Sequence, residues 1–236
     1  MSGRDVGAGG ARDKCESPFS LIDSRSTPSG RYATPRPLSP DPAVKMPVDS
    51  LIPSDFWTQP VVSLARALIG TTLLVDGVGG IITETEAYDI DDPASHAFGG
   101  PRGRNRVMFG PVGHAYIYKI YGIHWCLNFV GGAHPGSAVL IRALEPTHGI
   151  ETMVQRRAHA DPRTLCSGPG KLAQALGVDH SLNGAALDRP PFELSLGEVP
   201  DIVVGPRIGI TKAAELPWRF GLMGSRYWSR AFPKDG

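Results

Sequence analysis

The sequence predicts an α+β fold preceded by a tail that has no core of its own. Three observations carry this reading. Residues 46–236 mix helix-like and strand-like segments without the β-α-β alternation that builds a parallel sheet. Residues 115–121 and 125–130 read as strands, and the short Gly122-Ile123-His124 connection makes them an antiparallel hairpin. Glycine (29) and proline (22) form about a fifth of the 236 residues, which predicts turns and irregular segments and not a helical bundle.

The elements follow in order. Residues 1–45 hold 5 Gly, 6 Pro and 7 Ser, and the Thr27-Pro28, Thr34-Pro35 and Ser39-Pro40 pairs oppose helix. Such a segment cannot bury enough apolar surface to offset its ordering entropy, so a disordered tail is expected. Met46 opens the core, residues 46–236, and is a second place at which translation could start. A first helix is expected over residues 58–69, with Pro60 in its first turn and Gly70 just past its end. Residues 73–75 and 81–87 read as strands around a glycine-rich turn at 77–80. Residues 138–144 form an apolar run of buried-strand length. Residues 147–157 read as a helix capped by Thr147, with Arg156 and Arg157 near its C-terminal end. Residues 167–176 read as another helix, closed by Gly177, and short strands and loops follow.

Composition excludes several functions. No run of about 18 apolar residues is present, so no membrane span is expected, and the N-terminus lacks the apolar stretch of a secretory signal. Cys15, Cys126 and Cys166 are few and far apart, which fits a reducing, intracellular setting (cytoplasm or nucleoid) and supports neither a zinc ribbon nor an iron–sulfur cluster. The seven histidines contain no HExxH pattern, so no metal is expected.

The net charge of +1 conceals segregation. Residues 46–100 sum to −7 and residues 101–171 to +6, while the remaining core balances. Ion pairing between packed halves would explain this. So would a phosphate-contacting rim around a catalytic carboxylate.

Four groups of residues could carry chemistry. Strand alternation places Ile82, Glu84, Glu86 and Tyr88 on one face, with the two carboxylates about 7 Å apart, a spacing that overlaps that of inverting glycoside hydrolases. A solvated strand face is the alternative, although Tyr88 and His96 converge on the same region. Tyr116, Tyr118 and Tyr121 cluster in the hairpin. An aromatic row there suits core packing or a stacking platform, but a tyrosine at the tip suits a wedge that enters a base stack. Arg102, Arg104 and Arg106 form either a solvated cluster or phosphate contacts. Ser167-Gly168-Pro169-Gly170-Lys171 opens a helix, where free N–H groups and Lys171 favour an anion, but it is no Walker loop.

Taken together, Glu84-Thr85-Glu86-Ala87-Tyr88, His96, Arg104-Asn105-Arg106, residues 116–128, residues 140–146 and residues 165–172 resemble, in order and spacing, the alkyladenine (3-methyladenine) DNA glycosylase family. The resemblance covers residues 64–228 and leaves the tail outside. It implies a single mixed domain with a curved antiparallel sheet and a protruding hairpin that enters the DNA minor groove. It implies that Glu86 activates the water that attacks the sugar C1′, with Arg142 beside that water and the backbone. Tyr88 and Tyr118 would sandwich the flipped base, His96 would line the pocket, and Asn128 would clash with the exocyclic amine of normal guanine. Tyr121 would fill the gap in the duplex, and Glu84 would not be catalytic. The chain departs from the pattern at the acidic Asp89-Ile90-Asp91-Asp92 segment and at Ile123.

The expected function is therefore a base-excision-repair glycosylase that flips and hydrolytically removes alkylated or deaminated purines from double-stranded DNA. No lysine occupies a matched pocket position, so a monofunctional monomer that needs no cofactor is expected. A carbohydrate hydrolase using Glu84 and Glu86, and a damaged-DNA-binding module without catalysis, are the rival readings.

Overall fold

The computed structural model of the protein describes residues 52–198 and 200–233. The expected tail, residues 1–45, and its Ser/Thr-Pro pairs lie outside the described residues. Eight strands form one antiparallel sheet: β1 (Thr72–Val75), β2 (Val78–Tyr88), β3 (His114–Ile120), β4 (His124–Val130), β5 (Ala138–His148), β6 (Phe192–Ser195), β7 (Ile202–Gly205) and β8 (Arg219–Leu222). Their order is β3-β4-β5-β2-β1-β6, with β8 also paired to β2 and β7 to β8. The α+β expectation and the curled sheet with a projecting hairpin hold.

Strand β2 is central because it has three partners. It pairs with β5 along one edge, with β1 through Val78–Ile81, and with β8 through Glu84–Glu86. The turn before it is shorter than expected. Asp76 (φ 49°) and Gly77 (φ 73°) alone make the reversal, as a two-residue hairpin turn with two left-handed positions requires. Gly79 and Gly80 belong to the strand instead. A Cβ on Gly79 would lie 1.9 Å from the Leu73 carbonyl oxygen and one on Gly80 1.8 Å from that of Glu145, so neighbouring backbones close in there because both residues lack a side chain.

Two offset bulges re-aim the middle of the sheet. Between Ile82↔Leu144 and Glu84↔Ala143, β2 advances two residues for one of β5, and between Glu84↔Ala143 and Thr85↔Ile141 the excess lies on β5, at Arg142. The pleat changes phase as a result. Ile82 packs in the main core with Ala87, and Thr85 donates from Oγ1 to Ala65 O at 2.8 Å. Glu84, Glu86 and Tyr88 face the other way, so Ile82 does not share their face as strict alternation predicts. Bulges of this kind serve to redirect side chains.

Helices cover the core face. Helix α1 (Val61–Ala67), with Pro60 before its first residue, lies on β2 and β5. Helix α2 (Ile150–Arg157) begins later than Thr147, because β5 stays paired to β2 as far as His148 and Gly149 (φ 63°) makes the corner. A short helix α3 (Pro162–Leu165) is capped by Asp161, whose Oδ1 accepts from Arg163 N at 3.0 Å. Helix α4 (Pro169–Leu176) packs on β4, β5 and α2, and Gly177 (φ 74°) ends it as expected. Among the described residues no helix is long and apolar enough to cross a membrane.

Candidate active site

A cavity of about 890 Å³ opens between the 3-10 segment Gly103–Phe109, β3 and the end of β2. Tyr88, His96, Tyr118 and Asn128 line it, and Arg104, Arg106 and Tyr121 stand at its rim. The tyrosine row divides. Tyr116 is core, with 1% exposure, and forms a second apolar cluster with Ala97, Met108, Val130 and Ala138. Tyr118 stacks on Tyr116 (centroids 5.7 Å apart, planes at 29°) and turns its remaining surface to the cavity. The His96 ring meets Tyr118 edge-on at 4.4 Å, and its Nδ1 lies 3.0 Å from the Tyr116 hydroxyl. Asn128 donates from Nδ2 to Tyr116 O (3.0 Å) and Cys126 O (3.5 Å), which leaves its carbonyl oxygen as the group available to a ligand. Asn105, buried, holds this wall together by donating to His96 O (2.7 Å) while accepting from Arg102 N.

The two carboxylates lie behind Tyr88, fully buried and not part of the cavity lining. Glu86 Oε2 accepts from the Tyr88 hydroxyl at 2.8 Å and meets Arg142 Nη1 at 3.1 Å, and its Oε1 accepts from Ile208 N at 2.7 Å. Glu86 therefore keeps one acceptor position of about four. Glu84 is held by four donors: Oε1 receives Arg142 Nε (2.9 Å), Arg219 Nε (2.7 Å) and Ser229 Oγ (2.8 Å), and Oε2 receives Ser229 N (2.5 Å). The pairing of both carboxylates through one arginine explains why so many charges can be buried together. It also removes Glu84 as a second acid–base group, so the carbohydrate-hydrolase geometry is not present.

Burial shapes the proton chemistry of the walls. It raises the phenols of Tyr88 and Tyr118 far above the ordinary tyrosine value, with Glu86 adding to Tyr88 and Cys126 to Tyr118, and it pushes Tyr116 up to about 12. All three stay protonated at neutral pH. His96 moves the other way: partial burial and then the Arg104 guanidinium lower its pKa, although the ring remains exposed at the mouth. Burial opposes the charge on Arg142, but Glu86 and Glu84 outweigh it and raise its pKa, so the guanidinium stays charged.

The hairpin tip projects. Tyr121, 81% exposed, adopts φ 53°, a conformation uncommon for a non-glycine residue, and Gly122 (φ 69°) completes the turn beside exposed Ile123. Arg102 and Lys171 do not join the cavity. Lys171 sits in a separate shallow pocket with Arg157 and His159 and donates to Ser167 Oγ at 3.3 Å. Of the residues expected from sequence, Tyr88, His96, Tyr118, Tyr121 and Asn128 line one cavity, and Glu84, Glu86 and Arg142 lie behind Tyr88. Asn105 stands in the Arg104-Asn105-Arg106 run without a role of its own there, and Arg207, Arg219 and Ser229, which brace Tyr88 and the carboxylates from behind, belong to no motif. For Arg207 and Arg219 the only sequence signal is a balanced charge count in the last third of the chain, and Ser229 has none. No group of three or more metal-ligating side chains is assembled among the described residues.

The model of a protein family described as methylpurine-DNA glycosylase matches residues 55–226. A candidate 3-methyladenine DNA glycosylase from Rhodopseudomonas palustris strain HaA2 is 61% identical over 180 residues, covering 75% of this chain and 89% of that protein. Candidates with the same name from Nitrosospira multiformis and Granulibacter bethesdensis are each 58% identical, over 76% and 74% of this chain and 94% and 86% of their own length.

Proposed function

Because the chain belongs to the methylpurine-DNA glycosylase family and is a base-excision-repair DNA glycosylase, an N-glycosyl hydrolase acting on DNA, we propose that Glu86 is its general base and that it leaves an intact abasic site. A base inside a duplex shields its own glycosidic bond, so the nucleotide must first be extruded, at a cost of a few kcal/mol. Tyr121, at the exposed tip, offsets part of this by stacking in the gap. Arg104 and Arg106 contact phosphates at the rim. Arg102 and Lys171, outside the cavity, are the weaker backbone contacts.

The extruded purine enters between Tyr88 and Tyr118, beside His96. Alkylation gives a purine positive charge, which makes it a good leaving group and attracts it to neutral phenol faces. Protonated tyrosines and a neutral His96 suit a cationic guest. In the tautomer in which Nδ1 accepts from the Tyr116 hydroxyl, 3.0 Å away, a neutral His96 offers its Nε2 proton to the purine. The Asn128 carbonyl oxygen sets the limit on what is admitted near the base edge. For hydrolysis a water must reach Glu86, either at the free position of Oε1 or by displacing the Tyr88 hydroxyl from Oε2. Glu86 takes its proton as it attacks C1′, a contribution of about 10²–10⁴-fold. Arg142 Nη1, 3.1 Å from Oε2, holds the carboxylate in place. None of the residues assigned to base binding is a lysine, and Lys119, on the cavity lining, lays its ammonium over the Trp125 ring at 5.1 Å, so the reading is monofunctional, with a monomer acting on damaged purines in double-stranded DNA without a cofactor. Its place of work is wherever the genome is, the cytoplasm or nucleoid.

The observation that carries this is the Glu86 carboxylate held by Arg142 (3.1 Å) and Ile208 N–H (2.7 Å) directly behind the stacking ring of Tyr88. Free-base release from duplexes containing 3-methyladenine, hypoxanthine or ethenoadenine tests it. Glu86→Gln should bind lesion DNA without releasing base, and retained single-turnover excision would overturn the role of Glu86. Borohydride trapping of a covalent enzyme–DNA adduct would overturn monofunctional chemistry.

A further inference from the structure

Arg207 is one of the most enclosed cations in the protein. Its side chain and that of its partner Asp92 are both 0% exposed. It lies in the loop between β7 and β8, more than a hundred residues from the strand it supports. Its guanidinium is wedged between two rings, 4.7 Å from the centroid of Tyr88 and 5.3 Å from that of Trp218. Nη1 donates to Asp92 Oδ2 and to Ala87 O (3.0 Å), and Nη2 donates to Asp92 Oδ1 (3.1 Å) and Ala213 O (3.2 Å). This is a two-pronged arginine–carboxylate pair, further fixed by two backbone oxygens and two aromatic faces.

Three parts of the proposed site hang on that pair. Tyr88 has the guanidinium against one face, so only its other face is free for a base. Ile208, the next residue, directs its N–H at Glu86 Oε1. Asp92 orders the turn that leads to His96: its Oδ1 accepts from Ala94 N at 2.9 Å, and its carbonyl accepts from Ser95 N at 2.8 Å. Reacting groups tolerate displacements of well under 1 Å, and an error of that size costs about 10²-fold in rate.

We propose that Arg207, locked by Asp92, is a positioning residue for base excision, setting the Tyr88 ring and the Ile208 N–H that orients Glu86. The proposal rests on the catalytic reading of Glu86 given above. It does not require Arg207 to touch DNA. The acidic segment at residues 89–92, which sets this chain apart in the sequence, thereby gains a use: Asp92 is turned inward as the counter-ion, while Asp91 stays exposed.

Arg207→Lys keeps the charge but loses the fork, and Asp92→Asn keeps the shape but loses the charge. Each variant is assayed under single-turnover conditions with saturating enzyme, at a temperature where near-ultraviolet circular dichroism shows it folded. The expected result is a rate of base release lowered about 10- to 100-fold. Affinity for a duplex with a tetrahydrofuran abasic analogue, which has no base to seat against Tyr88, should be unchanged. Wild-type rates in either folded variant overturn the proposal. So do parallel losses of rate and of abasic-duplex affinity, or unfolding of both variants at every assay temperature, since either assigns the pair to general stability. If the unaltered chain releases no base, the catalytic reading fails and takes this one with it.

Discussion

At the scale of single residues, Glu84 and Glu86 differ by what their neighbours leave free. Four donors converge on Glu84, and it touches only protein. Replacing it with glutamine puts an amide N–H₂ against donors and leaves Arg219 and Arg142 short of a counter-ion. The expected cost is about 3–5 kcal/mol of stability, the range for breaking a buried ion pair. Chemical denaturation of Glu84→Gln reads this. Excision per folded molecule should fall far less than in Glu86→Gln. His96 carries a pH prediction. Its folded pKa lies below the unfolded value of about 6.5, so the unfolded chain binds more protons between the two. Stability and the neutral pocket are therefore both retained above about pH 6.5 and eroded as pH falls through the folded pKa. Excision of a cationic lesion should be flat from neutral pH through about 6.5 and decline only as pH falls through the lower, folded pKa of His96. A His96→Gln variant should lack the part of that decline caused by charging the ring, and pH–rate profiles of the two proteins compare directly.

At the scale of elements, the β3–β4 hairpin and the β2–β5 pair show opposite uses of backbone. Tyr121 sits in a left-handed conformation that costs a non-glycine residue about 1–2 kcal/mol. Glycine adopts it freely, so Tyr121→Gly should leave thermal stability within about 1 kcal/mol of the unaltered protein. It should still slow excision from duplex more than from single strands, and equal slowing on both would remove the wedge role. In β2, Gly80→Ala would put a Cβ against the Glu145 carbonyl oxygen, where backbone cannot retreat. A loss of several kcal/mol, about 3 or more, is expected by overpacking and broken pairing. The same pairing carries the offset bulges, so the loss should be accompanied by reduced excision.

At the scale of the whole molecule, charge is arranged from the inside out. Glu84, Glu86 and Asp92 face Arg142, Arg207 and Arg219 in a buried, balanced network, while Arg104 and Arg106 remain at the open rim. The near-zero total therefore says nothing against a polyanion partner, since the acids that lower it are neutralised behind the site. The described residues contain every group assigned to catalysis and base binding. A chain beginning at Met46 should excise as fast as the full chain, and a side-by-side single-turnover comparison tests this.

The sequence by itself determined the reaction class and the strands and tip that carry the proposed site residues. Glu86, Tyr88, Tyr118, Tyr121 and Asn128 lie in short ordered motifs whose spacing along two strands and a hairpin already brings them near one another. Alternation and turn chemistry likewise made the strands, the tip and the ends of α4 legible. The resemblance already points to Glu86 and not Glu84, but only the tertiary structure shows what holds each carboxylate. That depends on Arg219, Ser229 and Ile208, which reach Glu84 and Glu86 from 122 to 145 residues away. It also depends on two bulges that change the phase of the pleat, so that Ile82 turns to the core while Glu84 does not. Local periodicity carries no record of such long-range pairings, and the Arg207–Asp92 lock, 115 residues apart in sequence, forms only when the sheet closes around it.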